Sequence, residues 1–338
     1  MSDYWKDKNV FITGINGFIG GNLAKALLNK GAKITGLVRD RDCNTLLFYE
    51  GLADKVLLIQ GELVNRELLE GIIAEQDIEA VFHFAAQVEV GVAIKDPYQT
   101  FESNIRGTYC LMEAIRNSGN KMRSIVVAST DKSYGSYPKE RMPYKEDYPL
   151  IPIYPYDVSK ACGDMIAQTY ASDIFRLPIV VTRFCNIYGP GQLNFSAIIP
   201  DGIRSALGYT KFIPRGDGAQ VRDFIYVEDV SELYMLVGEL LNNDPDRLTG
   251  EIFNAGSNVP HSVKNILEMI FSLIGNATEL EEIIALMKDR KTSGEIETQL
   301  MDFEKVNKFT GWKPKHSLEQ GLSKTIDWYV KYLREWMR

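Results

Sequence analysis

Tyr156 and Lys160 stand four residues apart, a spacing that places both side chains on one face of a helix. An ammonium beside a phenol can lower the phenol's pKa. A tyrosine tuned in this way can take the proton from a sugar hydroxyl while hydride leaves the same carbon. Tyr4 and Lys8 share the spacing, but they precede the first predicted strand, on the side away from any cofactor. Position selects Tyr156, which follows the fifth predicted strand. Just beyond that strand runs Ser129-Thr130-Asp131-Lys132-Ser133-Tyr134-Gly135. Open parallel sheets bind ligands outside the carboxyl ends of their strands, so the hydroxyl of Thr130, the carboxyl of Asp131 and the amine of Lys132 are candidates to hold a reacting sugar. A polar surface loop is the competing reading of such a heptad.

A third cluster, Thr13-Gly14-Ile15-Asn16-Gly17-Phe18-Ile19-Gly20, joins the first strand to the first helix. Its glycines let the backbone turn tightly and approach a pyrophosphate, whose charge meets the helix N-terminus. The spacing is GxxGxxG rather than GxGxxG, and its place in a βαβ unit is what points to a dinucleotide. The second strand ends Leu37-Val38-Arg39-Asp40-Arg41. An acid there would bind the adenosine 2′-hydroxyl and a cation a 2′-phosphate. Val38 falls where the acid is expected and Arg39 follows, which favours NADP over NAD. The alternative makes Arg39 a solvated cation and gives the ribose to Asp40.

These residues need a frame. Short β-rich apolar runs at 10–13, 33–38, 56–60, 80–84, 124–128 and 179–184 alternate with helical stretches, the first over 18–29 and closed by Gly31. The alternation predicts an α/β fold, a doubly wound, Rossmann-like parallel sheet with right-handed crossovers. After Phe184 the rhythm breaks into a Gly- and Pro-rich stretch, with helices predicted near 198–207, 229–241, 262–273 and 318–336 and a strand at 252–254. The expected organisation is a dinucleotide-binding unit over 1–184, rejoined by segments near 225–256, and a smaller substrate-binding lobe over 185–338.

Composition narrows the function. The 338 residues are 45% hydrophobic and 25% charged, with a net charge of −7, which fits a globular chain and argues against a nucleic-acid partner. Cys43, Cys110, Cys162 and Cys185 are scattered, with no CxxC pair, and the three histidines make no HExxH, so no metal is expected. The polar start, Met1 to Lys8, does not read as a signal peptide, and no apolar run approaches the roughly 20 residues a membrane span needs. A cytoplasmic protein is expected.

Taken together these segments resemble the extended short-chain dehydrogenase/reductase family over nearly the whole chain. The Gly14–Gly20 turn, Phe84-Ala85-Ala86, Asn104 with Gly107-Thr108, the Tyr156–Lys160 pair, Asn186-Ile187-Tyr188-Gly189-Pro190-Gly191 and Arg222-Asp223-Phe224-Ile225-Tyr226-Val227 carry the likeness. Within the family, Thr130-Asp131-Lys132 is similar to the Thr-Asp-Glu or Thr-Asp-Lys triplet of nucleotide-sugar 4,6-dehydratases. Leu193-Asn194-Phe195-Ser196 and Glu295-Ile296…Gln299-Leu300-Met301-Asp302 look most like the CDP-glucose branch. Lys132 stands where the dTDP-glucose enzymes have Glu, and the Gly14–Gly20 turn also departs from the CDP-glucose pattern, which leaves the nucleotide open.

The resemblance implies a tightly bound, recycled NAD or NADP. Its expected contacts are Gly14, Asn16, Gly17, Phe18, Ile19, Gly20, Arg39, Glu62, Leu63, Phe84, Ala85, Ala86, Tyr156 and Lys160. It implies a nucleotide-diphosphate sugar held by Gln87, Asn186, Asn194 and Arg222, with Arg222 on the diphosphate unless it only pairs with Asp223. The implied chemistry starts with Tyr156 taking the C4 hydroxyl proton as hydride leaves. Lys132, in its neutral form, then removes the C5 hydrogen, Asp131 protonates the departing C6 hydroxyl, and hydride returns to C6. A 4-epimerase would need neither Asp131 nor Lys132, and a non-catalytic dinucleotide-binding sensor would have no reason to keep Tyr156, Lys160 and Thr130. A homodimer through helices near 97–117 and 156–170 is implied by the same likeness.

Overall fold

The computed structural model describes residues 3–40, 42–119, 122–288, 290 and 296–336. Met1, Ser2, Arg41 and Glu295, each part of a segment read above, lie outside the described residues. Strands β1 (Asn9–Thr13), β2 (Lys33–Val38), β3 (Leu57–Gln60), β4 (Ala80–His83), β5 (Ser124–Thr130), β6 (Ile179–Phe184) and β7 (Ile252–Ala255) form one sheet. Their order is β7-β6-β5-β4-β1-β2-β3, and every pairing is parallel. The chain runs outward from β1 in one direction, then crosses back to β4 and continues in the other. The carboxyl ends of β1 and β4 therefore flank the switch point where such sheets bind ligands. The strands read as continuous apolar runs because both faces are covered.

One face packs Val10, Ile12, Phe82, Val126, Val180 and Phe253 against Leu23 and Leu27 of the helix Phe18–Leu28 and against Val230, Leu233, Tyr234 and Val237 of the helix Val227–Asn243. The other sets Phe11, Val81, Ile125, Val127, Ile179 and Val181 against the helices Arg66–Glu75, Gly107–Asn117 and Pro155–Ala171. The helix predicted over 229–241 is longer at both ends. The helical stretch predicted over 97–117 is broken: Pro97–Phe101 and Gly107–Asn117 are α-helical, and Glu102–Arg106 between them is a π-helical turn. Such a turn changes which residues face inward without interrupting the helical path, and here it buries Asn104.

Residues 185–338 build a separate apolar cluster from Ile199, Ile203, Phe212, Ile266, Leu267, Ile270, Phe271, Ile283 and Tyr329. A two-stranded sheet, Asn186–Tyr188 with Phe224–Tyr226, and a three-stranded sheet of Val221–Arg222, His261–Ser262 and Thr298–Gln299 tie its loops together.

Candidate active site

A cavity of about 990 Å³ opens along the carboxyl ends of the strands, between the sheet and the C-terminal residues. Its floor at one end is the Gly14–Gly20 turn. Gly14 adopts φ +74, and a Cβ there would lie 2.7 Å from Ala85 N; a Cβ on Gly20 would lie 2.2 Å from Gly14 O. Only glycine allows this close crossing of β1, the turn and the β4 end. The helix Phe18–Leu28 begins at Gly17 with no side-chain cap, so its first-turn N–H groups remain available to an anion. Asn16 Oδ1 and Gln87 Oε1 are buried without a hydrogen-bond partner among the described residues. Both belong to residues that line the cavity. Open glycines, uncapped N–H groups and orphaned polar atoms together fit a dinucleotide.

At the other end, β5 delivers Thr130 and turns into a short 3₁₀ segment, Asp131–Tyr134. Thr130 Oγ1 donates to Asp131 Oδ1 at 3.0 Å and accepts from Lys132 N at 3.3 Å. Asp131 is 3% exposed. Burial pushes its carboxyl pKa up, while Lys132, the Thr130 hydrogen bond and Arg222 pull it down, so a protonated Asp131 is favoured relative to a surface carboxyl. Asp157, also buried, is pushed up to about 6 by burial; Lys132 lowers it and Asp131 raises it. Its Oδ1 has no hydrogen-bond partner among the described residues.

Tyr156 and Lys160 lie on the helix Pro155–Ala171 as expected, yet their electrostatics differ from the simple pair. Burial, and then Asp131 and Asp157, raise the Tyr156 phenol well above its usual range, against the Thr130 hydrogen bond. Lys160 Nζ donates to the Ala128 carbonyl at 2.6 Å. Burial lowers its pKa to about 8, partly offset by Asp164. Burial thus dominates the shift of the phenol.

A second layer holds these groups. His83 Nδ1 meets Thr13 Oγ1 at 2.7 Å and its Nε2 meets Thr108 Oγ1 at 3.0 Å, while Thr108 donates to Asn104 O at 2.6 Å. Burial and the Lys160 charge push His83 down to about 3, so the ring is neutral. The Asn104 amide donates to Ser159 Oγ at 2.8 Å and to Gln87 O, and its Oδ1 accepts from Gln87 N at 2.7 Å. The π-helical turn thereby pins the residue after Ala86 to the helix that carries Tyr156.

The cavity is lined by Gly14, Asn16, Gly17, Phe18, Ile19, Gly20, Arg39, Glu62, Leu63, Phe84, Ala85, Ala86, Gln87, Thr130, Asp131, Lys132, Tyr156, Asn186 and Asn194. Two expected residues stand apart from that lining. Lys160 is turned to Ala128. Arg222 Nη1 donates to Val221 O at 3.0 Å and to Glu297 O at 3.3 Å, although its charge reaches Asp131. The neighbouring Asp223 carboxylate accepts from Ser257 N, Ser257 Oγ and Asn258 N, so it clamps the loop after β7. Residue-by-residue reading missed Asp157, His83 and the cavity-lining Ser129 and Tyr98. Asp157 follows the candidate base directly, which is the one local signal that could have marked it.

Residues 11–325 match the family model described as GDP-mannose 4,6 dehydratase. The chain belongs to the nucleotide-sugar 4,6-dehydratase family. It is 30% identical over 337 residues to dTDP-D-glucose 4,6-dehydratase of Homo sapiens, covering 97% of this chain and 92% of that one. It is 29% identical over 340 residues to a trifunctional UDP-glucose 4,6-dehydratase/epimerase/reductase of Arabidopsis thaliana, covering 98% of this chain but only 48% of that protein. The dTDP-glucose 4,6-dehydratase of Bacillus anthracis, solved in complex with NAD, superposes with a TM-score of 0.82 at 30% identity, covering 98% of this chain and 100% of that one. This dehydratase is accordingly an extended short-chain dehydrogenase/reductase, a lyase that works with a nicotinamide dinucleotide. No helix among its described residues is long and apolar enough to cross a membrane.

Proposed function

We propose that this dehydratase converts a nucleotide-diphosphate hexose to its 4-keto-6-deoxy derivative, with Thr130, Asp131, Lys132, Tyr156 and Lys160 as its working groups. The observation that carries the reading is Asp131, a buried carboxyl at the cavity wall that accepts from Thr130 and is flanked by Lys132, with Tyr156 lining the same cavity. An epimerase has no use for that acid beside an amine. Tyr156 takes the C4 hydroxyl proton, with the Lys160 ammonium as its electrostatic support. A nicotinamide dinucleotide held along the Gly14–Gly20 turn would supply the hydride exchange between C4 and C6. The 4-ketone acidifies the C5 hydrogen, which Lys132 removes while Asp131 protonates the departing C6 hydroxyl. The product's mass tests this over a panel of nucleotide hexoses: loss of water supports dehydration, an isomer of unchanged mass marks an epimerase, and no turnover marks a sensor.

Residues 1–184 with β7 would hold the cofactor, and 185–338 the sugar nucleotide. Asn186 at the cavity wall, with Arg222 swinging from its resting carbonyl partners, would hold the diphosphate. Arg39 at the cavity rim supports NADP, read by comparing the dissociation constants of the two cofactors; tighter NAD binding would refute it. A homodimer is supported by Tyr98, 68% exposed, and Met165, 59% exposed, on the helices Pro97–Phe101 and Pro155–Ala171, since large apolar side chains grouped in the open mark an interface. Sedimentation as a monomer at micromolar concentration would refute it.

A further inference from the structure

We infer that His83, with its ring proton on Nε2, is a positioning residue that ties the cofactor seat at the Gly14 turn to the helix carrying Tyr156. That role rests on the dehydration reading only in taking Tyr156 as the C4 base. A neutral imidazole has one N–H and one acceptor nitrogen, and its partners decide which is which. Thr108 is the deciding partner. Its one hydroxyl hydrogen goes to the Asn104 carbonyl at 2.6 Å, so toward His83 Nε2, 3.0 Å away, it can only accept. Nε2 therefore bears the proton. Nδ1 keeps its lone pair, and Thr13 Oγ1 at 2.7 Å donates to it while accepting from Ala85 N at 3.2 Å. The ring is buried, and burial with the Lys160 charge keeps a second proton off it.

The four hydrogen bonds run one way, from the Ala85 amide through Thr13, His83 and Thr108 to the Asn104 carbonyl. One end is the close crossing of Gly14 with the β4 end, where Gly14, Phe84 and Ala85 line the cavity. The other end is the π-helical turn Glu102–Arg106. From there the Asn104 amide donates to Ser159 Oγ at 2.8 Å, and Ser159 Oγ donates to the Tyr156 carbonyl at 2.7 Å. Neither His83 nor Thr108 is among the cavity-lining residues, so the ring acts through its partners. A flat, rigid ring held at both nitrogens fixes the distance between the two hydroxyls, and with it the register of the Tyr156 helix against the cofactor seat. Misplacing a reacting group by about 1 Å can cost about 100-fold in rate.

Nitrogen NMR of the histidine-labelled parent reads the tautomer, since the chain holds only His83, His261 and His316 and His83→Gln identifies the His83 signals. A proton on Nε2 alone at neutral pH is expected; a proton on Nδ1, or on both nitrogens, would overturn the inference. Two variants then divide the links. Asparagine reaches only as far as Nδ1 and can accept from Thr13, whereas glutamine reaches as far as Nε2 and can donate to Thr108. His83→Asn should lower kcat by about 10- to 100-fold and leave unchanged the dissociation constant of NAD or NADP, whichever the parent binds more tightly. His83→Gln should restore kcat to within a few-fold of the parent and weaken that cofactor instead. Thr108→Val breaks the same link from its other side, so adding it to His83→Asn should cost nothing further. Loss of kcat and cofactor affinity in the same proportion in both variants, or additive losses in the double variant, would leave His83 a packing residue. The tautomer and the affinities are read without turnover. A parent enzyme that forms no dehydrated product would therefore refute the dehydration reading, while those two measurements still decide the role of His83.

Discussion

Arg183 and Asp164 meet in a two-pronged pair, Nε to Oδ2 at 2.8 Å and Nη2 to Oδ1 at 3.1 Å, with side chains 3% and 0% exposed. Asp164 lies one helical turn beyond Lys160, and Arg183 Nη1 donates to the Tyr134 hydroxyl at 2.9 Å. Tyr134 in turn donates to Asn254 Oδ1 at 2.8 Å and stacks on Tyr144. One buried network thus joins the catalytic helix, β6, β7 and the turn that carries Asp131. Arg183→Met strands a charged Asp164 in the core, and breaking a buried pair from one side costs about 3–5 kcal/mol. The urea midpoint should fall accordingly with the slope unchanged. A loss in the range of a surface ion pair, under about 1 kcal/mol, would contradict this role.

Tyr156→Phe removes only the phenolic oxygen. Turnover should fall by about 100- to 10,000-fold while cofactor binding, measured by titration, stays at the parental value. Activity within a few-fold of the parent would remove Tyr156 from the mechanism.

The Lys160 charge sets an alkaline limit. Burial lowers its pKa from 10.5 to about 8, so kcat/KM should fall as pH rises through about 8 and the supporting ammonium is lost. Stability runs the other way across the next window. Between about 8 and 10.5 the unfolded chain binds more protons at this site than the folded one, so stability gains with rising pH there. Arginine stays charged throughout, and Lys160→Arg should move the alkaline limb upward. A limb still centred near 8 in that variant would assign it to another group.

Lys132→Met should separate the half-reactions. Oxidation at C4 needs Tyr156 and should survive, so reduced nicotinamide should accumulate and be seen by its absorbance. Exchange of the C5 hydrogen with deuterated solvent should stop. Normal exchange in the variant would place the C5 base elsewhere.

The frame and the core of the site were legible because their signals are local. Short apolar runs marked six of the seven sheet strands within a few residues, and one more such run, at 252–254, marked the strand that rejoins the sheet. Thr130, Asp131, Lys132 and Tyr156 each sit at the end of a strand or the start of a helix, where the fold class alone brings them to one crevice. The rest depended on distance. Strands Val221–Arg222, His261–Ser262 and Thr298–Gln299 have two residues each, too short for any period to appear. The π-helical turn at Glu102–Arg106 carries no proline or glycine to announce it. Arg222 looked like a cavity residue from its motif, but its resting partners are carbonyls brought in from its own strand and from Glu297. The raised phenol of Tyr156 reflects burial, and burial is a property of the packed whole rather than of a four-residue spacing.

The most direct test of the central claim follows the hydrogen at C4. A nucleotide hexose deuterated at C4 is turned over, and the product is examined by mass spectrometry and NMR. Hydride leaving C4 and returning to C6 predicts a product lighter by one water, with the deuterium in its C6 methyl group. A product of unchanged mass that retains deuterium at C4 would contradict dehydration and identify an epimerase.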